Sequence, residues 1–298
     1  MNYNHLMIFL AVAEEGSVSR GANRLCISQP AVSKQLSVLE ASLKARLFDR
    51  LPRGVRLTSA GDLLLGYVRR LSALEREAEQ AMGELHGLAR GGLTLGASLT
   101  VGAYLMPELL AEYSRRHPQI ALTLTIANTE TVQQMLRDGG LDLALTEGFA
   151  DDPDLDAAVF AHDELVAIAP PGHPFLAESG VTAARFLREP LILREPGSGT
   201  RAVLERALAA HGLTARPLMS LGSTEAIKRA VAAGAGLAVV SRLAVGLELE
   251  TGRLALLPLS DLALPRPLHR LSRRGAFESR AARAFREMLS EGRPLTAP

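Results

Sequence analysis

Apolar positions near the N-terminus recur at helical spacing in three bursts. In "HLMIFLAVAEEG", Leu6, Phe9, Leu10 and Ala13 share a helical face, and Gly16 supplies a stop. Ser17 offers an N-cap for a second helix, "SVSRGANRLC". Gly21 inside it either costs about 1 kcal/mol relative to Ala or permits a close helix–helix approach. After a break at Ile27, Ser28 caps "SQPAVSKQLSVLEASL", with Pro30 in the first turn, where no N–H is needed. Val32, Leu36, Leu39 and Leu43 form a stripe for burial. The other face carries Gln29, Ser33, Lys34 and Ser37, short polar groups that reach base edges and one cation for a phosphate. This order predicts a helix-turn-helix. "LFDRLPRGVRLT" then reads as a two-strand wing turning at residues 52–54, with Arg50, Arg53 and Arg56 placed for phosphates or a minor groove.

The pattern changes after Thr58 and Ser59, which offer another N-cap. Leu64, Tyr67, Leu71, Leu74, Ala78, Ala81 and Leu85 alternate at spacings of 3 and 4, an apolar seam with charged flanks. A helix of about 28 residues spans roughly 42 Å at 1.5 Å per residue. The seam needs cover, either from the chain itself or from a second copy. A dimer is expected, because a DNA reader profits from two-fold symmetry. "ARGG", residues 89–92, reads as a hinge.

Beyond it, strand-like and helix-like stretches alternate. "LTLGAS", "IALTLTIA" and "LDLALTEG" are separated by the helices "VGAYLMPELLAEYSRRHP" and "TETVQQMLRDG". A second set runs from "ELVAIAPPGHP" through "PLILREPG", "RAVLERALAAHG", "RPLMSLGS" and "TEAIKRAVAAG" to "LAVVS". The end returns through "LHRLSRR" and the helix "SRAARAFREMLSEG". Such alternation predicts two α/β lobes on a mainly parallel sheet, with the last segment crossing back to the first lobe. The expected division is 1–58 for the head, 59–90 for the linker helix and 91–298 for the body. Within the body, one lobe would hold about 91–162 and 268–298, the other about 163–267.

Ligands in open α/β folds bind outside the carboxyl ends of the strands. Here those ends carry small hydroxyl residues: Ser98 with Thr100, Thr129, Thr146, and Ser198 with Thr200. Hydroxyls and backbone N–H groups at helix starts form anion sites. Any one of these residues could be a plain N-cap, but their convergence indicates a small anion held between lobes. In "REPGSGTR", Gly199 adds a donor and Arg194 and Arg201 add charge.

Composition narrows the picture. The 298 residues are 47% hydrophobic and 4% aromatic with no Trp, so the core is built from Leu, Ala, Val and Ile. The net charge of +1 hides an asymmetry: residues 1–58 carry eight Lys or Arg against four Asp or Glu, while the rest carries a net of −3. A basic head on a slightly acidic body suits a polyanionic partner. Cys26 is the only cysteine, which excludes an intrachain disulfide and fits a cytoplasmic setting. At the end of the second helix it reads as a small core residue rather than a redox sensor. Asn4, His5, Glu14 and Glu15 do not read as a signal peptide, and no apolar run suits a membrane span.

"FLAVAEEGSVSRGANRLCISQPAVSKQLSVLEASLKARLFDR" followed by "RLTSAG" resembles the N-terminal domain of LysR-type transcriptional regulators. The resemblance is dense over residues 4–66, and length, linker and body fit it throughout. It implies an N-terminal all-α winged helix-turn-helix and a long linker helix. It also implies a C-terminal α/β, two-lobed effector domain like periplasmic binding proteins, a homodimer or homotetramer, and a co-inducer between the lobes. By position, Gln29, Pro30, Ser33 and Lys34 would face the major groove, and Arg50 and Arg53 would lie on the wing. Ser98, Thr100, Thr146, Ser198 and Thr200 would line the effector site, with Thr129, Glu147, Arg201, Ser223 and Glu225 as further candidates. "PGSGTR" and "GSTEAIKRAVAAGAGLAVVS" look like regulators of sulfur and carbon assimilation, which implies a sulfur oxyanion or a small phosphorylated or carboxylated metabolite. Gly21 departs from the family, which often has alanine there.

Enzyme readings find little support. "EPGSGTR" lacks the Gly-Lys-Ser/Thr ending of a phosphate-binding ATPase loop, and Ser198 lacks the glycine two residues upstream that a nucleophile elbow requires. The seven histidines show no metal-ligand spacing, so no metal or cofactor is expected. A transport binding protein would fit the body but not the basic head.

Overall fold

A computed structural model describes residues 1–85 and 92–291. Most of the expected hinge, and the side chain of Leu85, lie outside the described residues.

The head begins at Asn2, whose side chain accepts from the Asn4 N–H and starts α1 (Tyr3–Glu15); Gly16, at φ 58°, ends it. Ser17 caps α2 (Val18–Arg24) and Ser28 caps α3 (Gln29–Leu43), accepting from the Arg20 and Ala31 N–H groups. Leu6, Phe9, Val12, Ala22, Val32, Leu36 and Leu39 are buried in one core, with Leu43 partly buried against it. Gly21 serves close approach: a Cβ there would stand 2.7 Å from Val12 Cγ2 and 3.1 Å from the Val12 backbone. Cys26 is not a core residue. It is exposed at φ 55°, because the turn that ends α2 carries it outside the helix–helix contact. The wing strands β1 (Phe48–Arg50) and β2 (Val55–Leu57) pair antiparallel, and the Val55 N–H donates to the Gly16 carbonyl at 3.0 Å.

Thr58 accepts from the Gly61 N–H at 3.1 Å and starts α4 (Ser59–Leu85). Val68 is buried in the head's core and Leu64 packs partly against it, so Leu64 belongs to the head rather than to an open seam. Tyr67, Leu71 and Leu74 are exposed at 55%, 42% and 60%. Ala78 is exposed as well, and Ala81 is half-buried. Leu63 and Met82, outside the expected seam, are also exposed. The exposed apolar stripe thus runs Leu63, Tyr67, Leu71, Leu74, Ala78 and Met82.

The body opens with β3 (Gly92–Ser98), α5 (Leu99–Tyr104), α6 (Met106–Arg116), β4 (Ala121–Ala127), α7 (Thr129–Arg137) and β5 (Leu143–Glu147). The single helix expected over this first stretch is broken at Leu105. Pro107 lacks an N–H and its ring would strike the carbonyl four residues back, so the first helix cannot continue. Next come β6 (Leu155–Ala169), α8 (Ala183–Phe186), β7 (Leu191–Arg194), α9 (Gly199–Ala210), β8 (Met219–Leu221) and α10 (Thr224–Ala232). The chain ends with β9 (Leu237–Ser241), α11 (Gly246–Glu250), β10 (Ala255–Leu257), β11 (Pro265–Arg273) and α12 (Arg280–Ser290).

One nine-stranded sheet, in the order β4-β3-β5-β11-β6-β9-β7-β8 with β10 on β6, runs through both lobes. It is parallel only in its outer groups, β4-β3-β5 and β9-β7-β8. The central pairs β5–β11, β11–β6 and β6–β9 are antiparallel, which corrects the expectation of a mainly parallel sheet. The 15-residue β6 pairs with β11 along its first part and with β9 along its last. The expected lobe boundaries fall inside these two strands, where His162 pairs with Pro267.

Each lobe covers its part of the sheet on both faces. In β9, Leu237 and Val239 join one core while Ala238 and Val240 join the core on the opposite face. In the first lobe, Leu143 and Leu145 of β5 face the core of Tyr113 and Phe285, and Ala144 faces that of Val132 and Leu136. Strands buried on both faces account for the nearly unbroken apolar runs in the sequence. No described helix is long and apolar enough to cross a membrane.

Candidate functional site

Two places gather the residues singled out in the sequence. On the head, Gln29, Pro30, Lys34 and Ser37 at the start of α3 are exposed and Ser33 is half-buried. Gln29 Oε1 accepts from Ser19 Oγ at 3.0 Å, which ties α3 to α2. Ser37 donates to the Ser33 carbonyl at 3.0 Å and keeps its lone pairs free to accept. On the wing, Arg50, Arg53 and Arg56 are all exposed, and Arg56 lies 3.6 Å from Asp49. Arg20 and Arg24 are paired with Glu15 and Glu14. Among the described residues no ion pair joins an acid to Lys34, Arg50 or Arg53, so these three, like Lys44 and Arg46, keep their positive charge unmatched.

The second place lies in the body, where the ends of β3 and β5 meet the starts of α7 and α9. Ser98 and Ser198 occupy N-cap positions of α5 and α9, yet neither side chain makes a cap hydrogen bond. Ser98 Oγ instead donates to the Glu147 carboxylate. The hydroxyls of Ser198 and Thr100 are buried without a hydrogen-bond partner among the described residues. Thr129 is not the cap of α7, since Asn128 accepts from the Thr131 N–H. Its Oγ1 accepts from the Gly199 N–H at 3.2 Å and donates to the Glu147 carbonyl at 3.4 Å, which joins α7, α9 and β5. Gly199 is required there, because a Cβ would stand 2.4 Å from the Glu147 carbonyl oxygen.

Arg266, which sequence reasoning missed, is the buried cation at this junction. Its Nη1 donates to Thr200 Oγ1 at 2.9 Å and lies 3.8 Å from Glu147 Oε1. Its Nε and Nη2 lie 2.8 and 2.7 Å from Asp163 Oδ2, which also accepts from Ser241 Oγ at 2.7 Å. Ser98, Glu147, Arg266 and Thr200 thus form one connected chain, and Thr129 and Gly199 join it at the Glu147 backbone.

Other candidates stand apart. Thr146 is buried, but strand alternation puts it on the face of β5 opposite Glu147, beside His269 of β11. Burial lowers the pKa of His269, which favours its neutral form. Ser223 does act as a plain cap, accepting from the Ala226 N–H at 3.4 Å. Glu225 faces away, paired with Lys228 at 3.0 Å and Arg229 at 2.9 Å. Arg194 is fully buried, donating to Glu195 at 2.8 Å and Thr224 at 3.4 Å, so it does not charge the cleft. Burial pushes the Glu195 carboxyl up, but Arg194 outweighs it and holds it below the usual range.

A cleft of about 330 Å³ opens beside the junction, between the starts of α7 and α9, and its wall includes Thr129, Ser198, Gly199 and Arg201. Arg201 donates to Glu205 at 2.7 Å and to the Arg194 carbonyl at 3.2 Å, so its charge is partly matched.

Residues 3–62 match the family described as "Bacterial regulatory helix-turn-helix protein, lysR family", and residues 86–293 match "LysR substrate binding domain". The "RuBisCO operon transcriptional regulator" of Allochromatium vinosum is 40% identical over 292 residues, covering 98% of this chain and 96% of that protein. The "HTH-type transcriptional regulator CysL" of Bacillus subtilis (strain 168) is 32% identical over 268 residues, 90% of each chain. Among solved structures, the Synechocystis PCC6803 CcmR regulatory domain in complex with 2-PG is similar with a TM-score of 0.63 at 29% identity, over 68% of this chain and 97% of that one. Full-length CbnR complexed with its target DNA has a TM-score of 0.67 at 21% identity, over 98% and 99%, a likeness of fold.

Proposed function

The chain belongs to the LysR family of transcriptional regulators, and on that premise we propose that it binds promoter DNA as a homo-oligomer and answers to a small anion held between the lobes of its effector domain. The family is one of DNA-binding regulators, not enzymes. In our reading Gln29, Pro30, Ser33, Lys34 and Ser37 meet the major groove, and Arg50 and Arg53 grip phosphates, with Arg56 weakened by Asp49. The exposed stripe of α4 from Leu63 to Met82 is covered by the same helix of a second copy, and two such dimers form a tetramer. The lobes divide where β6 and β11 cross. The cytoplasm, where promoter DNA lies, is its place of work.

One observation carries the effector reading. Ser198 sits at a cap position, is buried and caps nothing, and the Thr100 hydroxyl is equally unpartnered. A buried hydroxyl without a partner costs about 1–3 kcal/mol. An anion that accepts from both recovers that cost. The relatives support the ligand class, a sulfur oxyanion or a small phosphorylated or carboxylated metabolite: one is a RuBisCO operon regulator, one is CysL, and the CcmR domain is in complex with 2-PG. Binding would shift the lobes' relative populations and so the placement of the DNA-reading heads.

Calorimetry with sulfate, thiosulfate, inorganic phosphate and 2-PG tests the site. Thr100→Val and Ser198→Ala should each raise the dissociation constant about tenfold, equivalent to roughly 1.4 kcal/mol. Unchanged binding in both variants would remove the cleft from consideration.

A further inference from the structure

Glu147 is 2% exposed at the end of β5, with one carboxylate oxygen accepting from Ser98 and the other 3.8 Å from the Arg266 guanidinium. That guanidinium is already matched by Asp163, 2.7 Å from Nη2. The junction thus sets two buried acidic side chains against one guanidinium, an excess of acid in the place where an anion is to bind. His269 lies beside Thr146 on the opposite face of the sheet and supplies no second cation here. A buried charge is tolerated only when paired and hydrogen-bonded, and Glu147 takes those partners for itself.

We infer that Glu147 is an internal stand-in for the acid group of the effector: it holds the Ser98 hydroxyl and the Arg266 contact until the effector's own acid group displaces it from both. This rests on the effector cleft proposed above. A carboxylate or phosphate takes over the Ser98 and Arg266 positions, while the Thr100 and Ser198 hydroxyls receive the rest of the same anion. Ligands without an acid group cannot displace Glu147, which makes it a specificity-determining residue. The exchange also has a mechanical output. The Glu147 carbonyl meets the start of α9 so closely that only glycine fits at 199, and Thr129 bridges the two. Displacement of Glu147 therefore disturbs the surface on which the second lobe rests.

The test is calorimetric titration of the full chain at neutral pH with sulfate, inorganic phosphate and 2-PG. It compares the unsubstituted protein, Glu147→Gln, Glu147→Asp and Thr100→Val, each first checked by thermal melting. Glu147→Gln keeps the size and the Ser98 acceptor but removes the charge, and should bind the same anions about tenfold more tightly. Glu147→Asp keeps the charge but shortens the reach to Ser98 and Arg266, and should tighten binding by a smaller factor; it carries the test should Glu147→Gln not fold. Equal or weaker binding in the Glu147 variants, with Thr100→Val still weakening it, overturns the stand-in role and leaves the cleft intact. No anion binding in any variant, or Thr100→Val without effect, overturns the cleft reading and this inference with it.

Discussion

Arg266 stands directly opposite Asp163 in the antiparallel β6–β11 ladder, Nε 2.8 Å from Oδ2, with both side chains essentially unexposed. The pair sits where the two strands pass from one lobe to the other, and it gathers Thr200 from α9 and Ser241 from β9 around it. Such a pair costs much of its own attraction in lost hydration, so its net stabilisation is modest. Losing one partner is another matter, because it strands a buried charge.

Arg266→Met should therefore lower the stability of the effector domain by about 3–5 kcal/mol. Adding Asp163→Asn to it should recover a large part of that loss. Urea unfolding of the two variants measures both effects. A loss below about 1 kcal/mol for Arg266→Met, the range of an exposed pair, would contradict the burial described.

In the head, Gly21→Ala should destabilise although alanine is the better helix former by about 1 kcal/mol. The new Cβ would meet Val12 at 2.7 Å, with the Val12 backbone at 3.1 Å. Overpacking of this kind costs about 1–3 kcal/mol, so the net loss should be near 1 kcal/mol. A thermal melt that rises on this substitution would show that α1 and α2 separate freely.

Contacts with DNA divide by chemistry. Arg50→Ala and Arg53→Ala should weaken binding on every sequence and reduce the salt slope by about one each. Gln29→Ala and Ser33→Ala should instead change which bases are preferred, by about 1–3 kcal/mol per position. Arg56→Ala should do less than Arg53→Ala, since Asp49 lies 3.6 Å from Arg56. Fluorescence anisotropy against a panel of duplexes at several salt concentrations separates the two kinds of effect.

The acid limb of the stability profile below about pH 4.5 follows from three carboxyls. Lys228 and Arg229 hold Glu225 below the usual range, Arg286 does the same for Glu278, and Arg194 overcomes burial to do so for Glu195. Groups with lowered folded-state pKa values contribute stability that is present above the unfolded value of about 4.3 and lost as pH falls through the folded one. Lys228 behaves in the opposite sense. Burial lowers its pKa, but Glu248 and Glu225 prevail and push it up to about 12, so its contribution persists through neutral pH and is lost only on strong alkalisation. Burial lowers the His269 pKa, so its contribution is present above the unfolded value of about 6.5 and is lost as pH falls through the folded one; melting temperature should thus begin to fall below about pH 6.5 and drop further below about pH 4.5. Glu278→Gln should soften that acid limb, and an unaltered limb would remove Glu278 from the account.

What the residues disclosed in advance depended on how local the physics was. Ser17, Ser28 and Gly16 act within one helical turn, and the head was legible from them. The hydroxyls near the α5, α7 and α9 starts were legible for the same reason, yet spacing alone did not separate Ser223, which caps its helix, from Ser198, which does not. Arg266 was hidden by Pro265 and Pro267, a pattern that argues against a central strand. The structure accommodates both prolines because β5 joins β11 only from Leu268 onward, so each faces a single neighbour. Arg194 read as a pocket cation because nothing local reveals which face of β7 turns inward toward Thr224. The break at Leu105 was missed, although Pro107 carries the signal for it.

The coupling between anion and DNA is the central claim, and one measurement addresses it directly. A duplex selected from random sequence by the full chain is titrated with and without a saturating anion from the calorimetric panel. This is done for the unsubstituted protein and for Thr100→Val with Ser198→Ala. The account predicts that the anion shifts DNA affinity or footprint in the unsubstituted protein, by about five- to 150-fold if the coupling is 1–3 kcal/mol, and leaves the double variant unmoved. The same DNA binding with and without anion in the unsubstituted protein, or the same shift in the double variant, would contradict it.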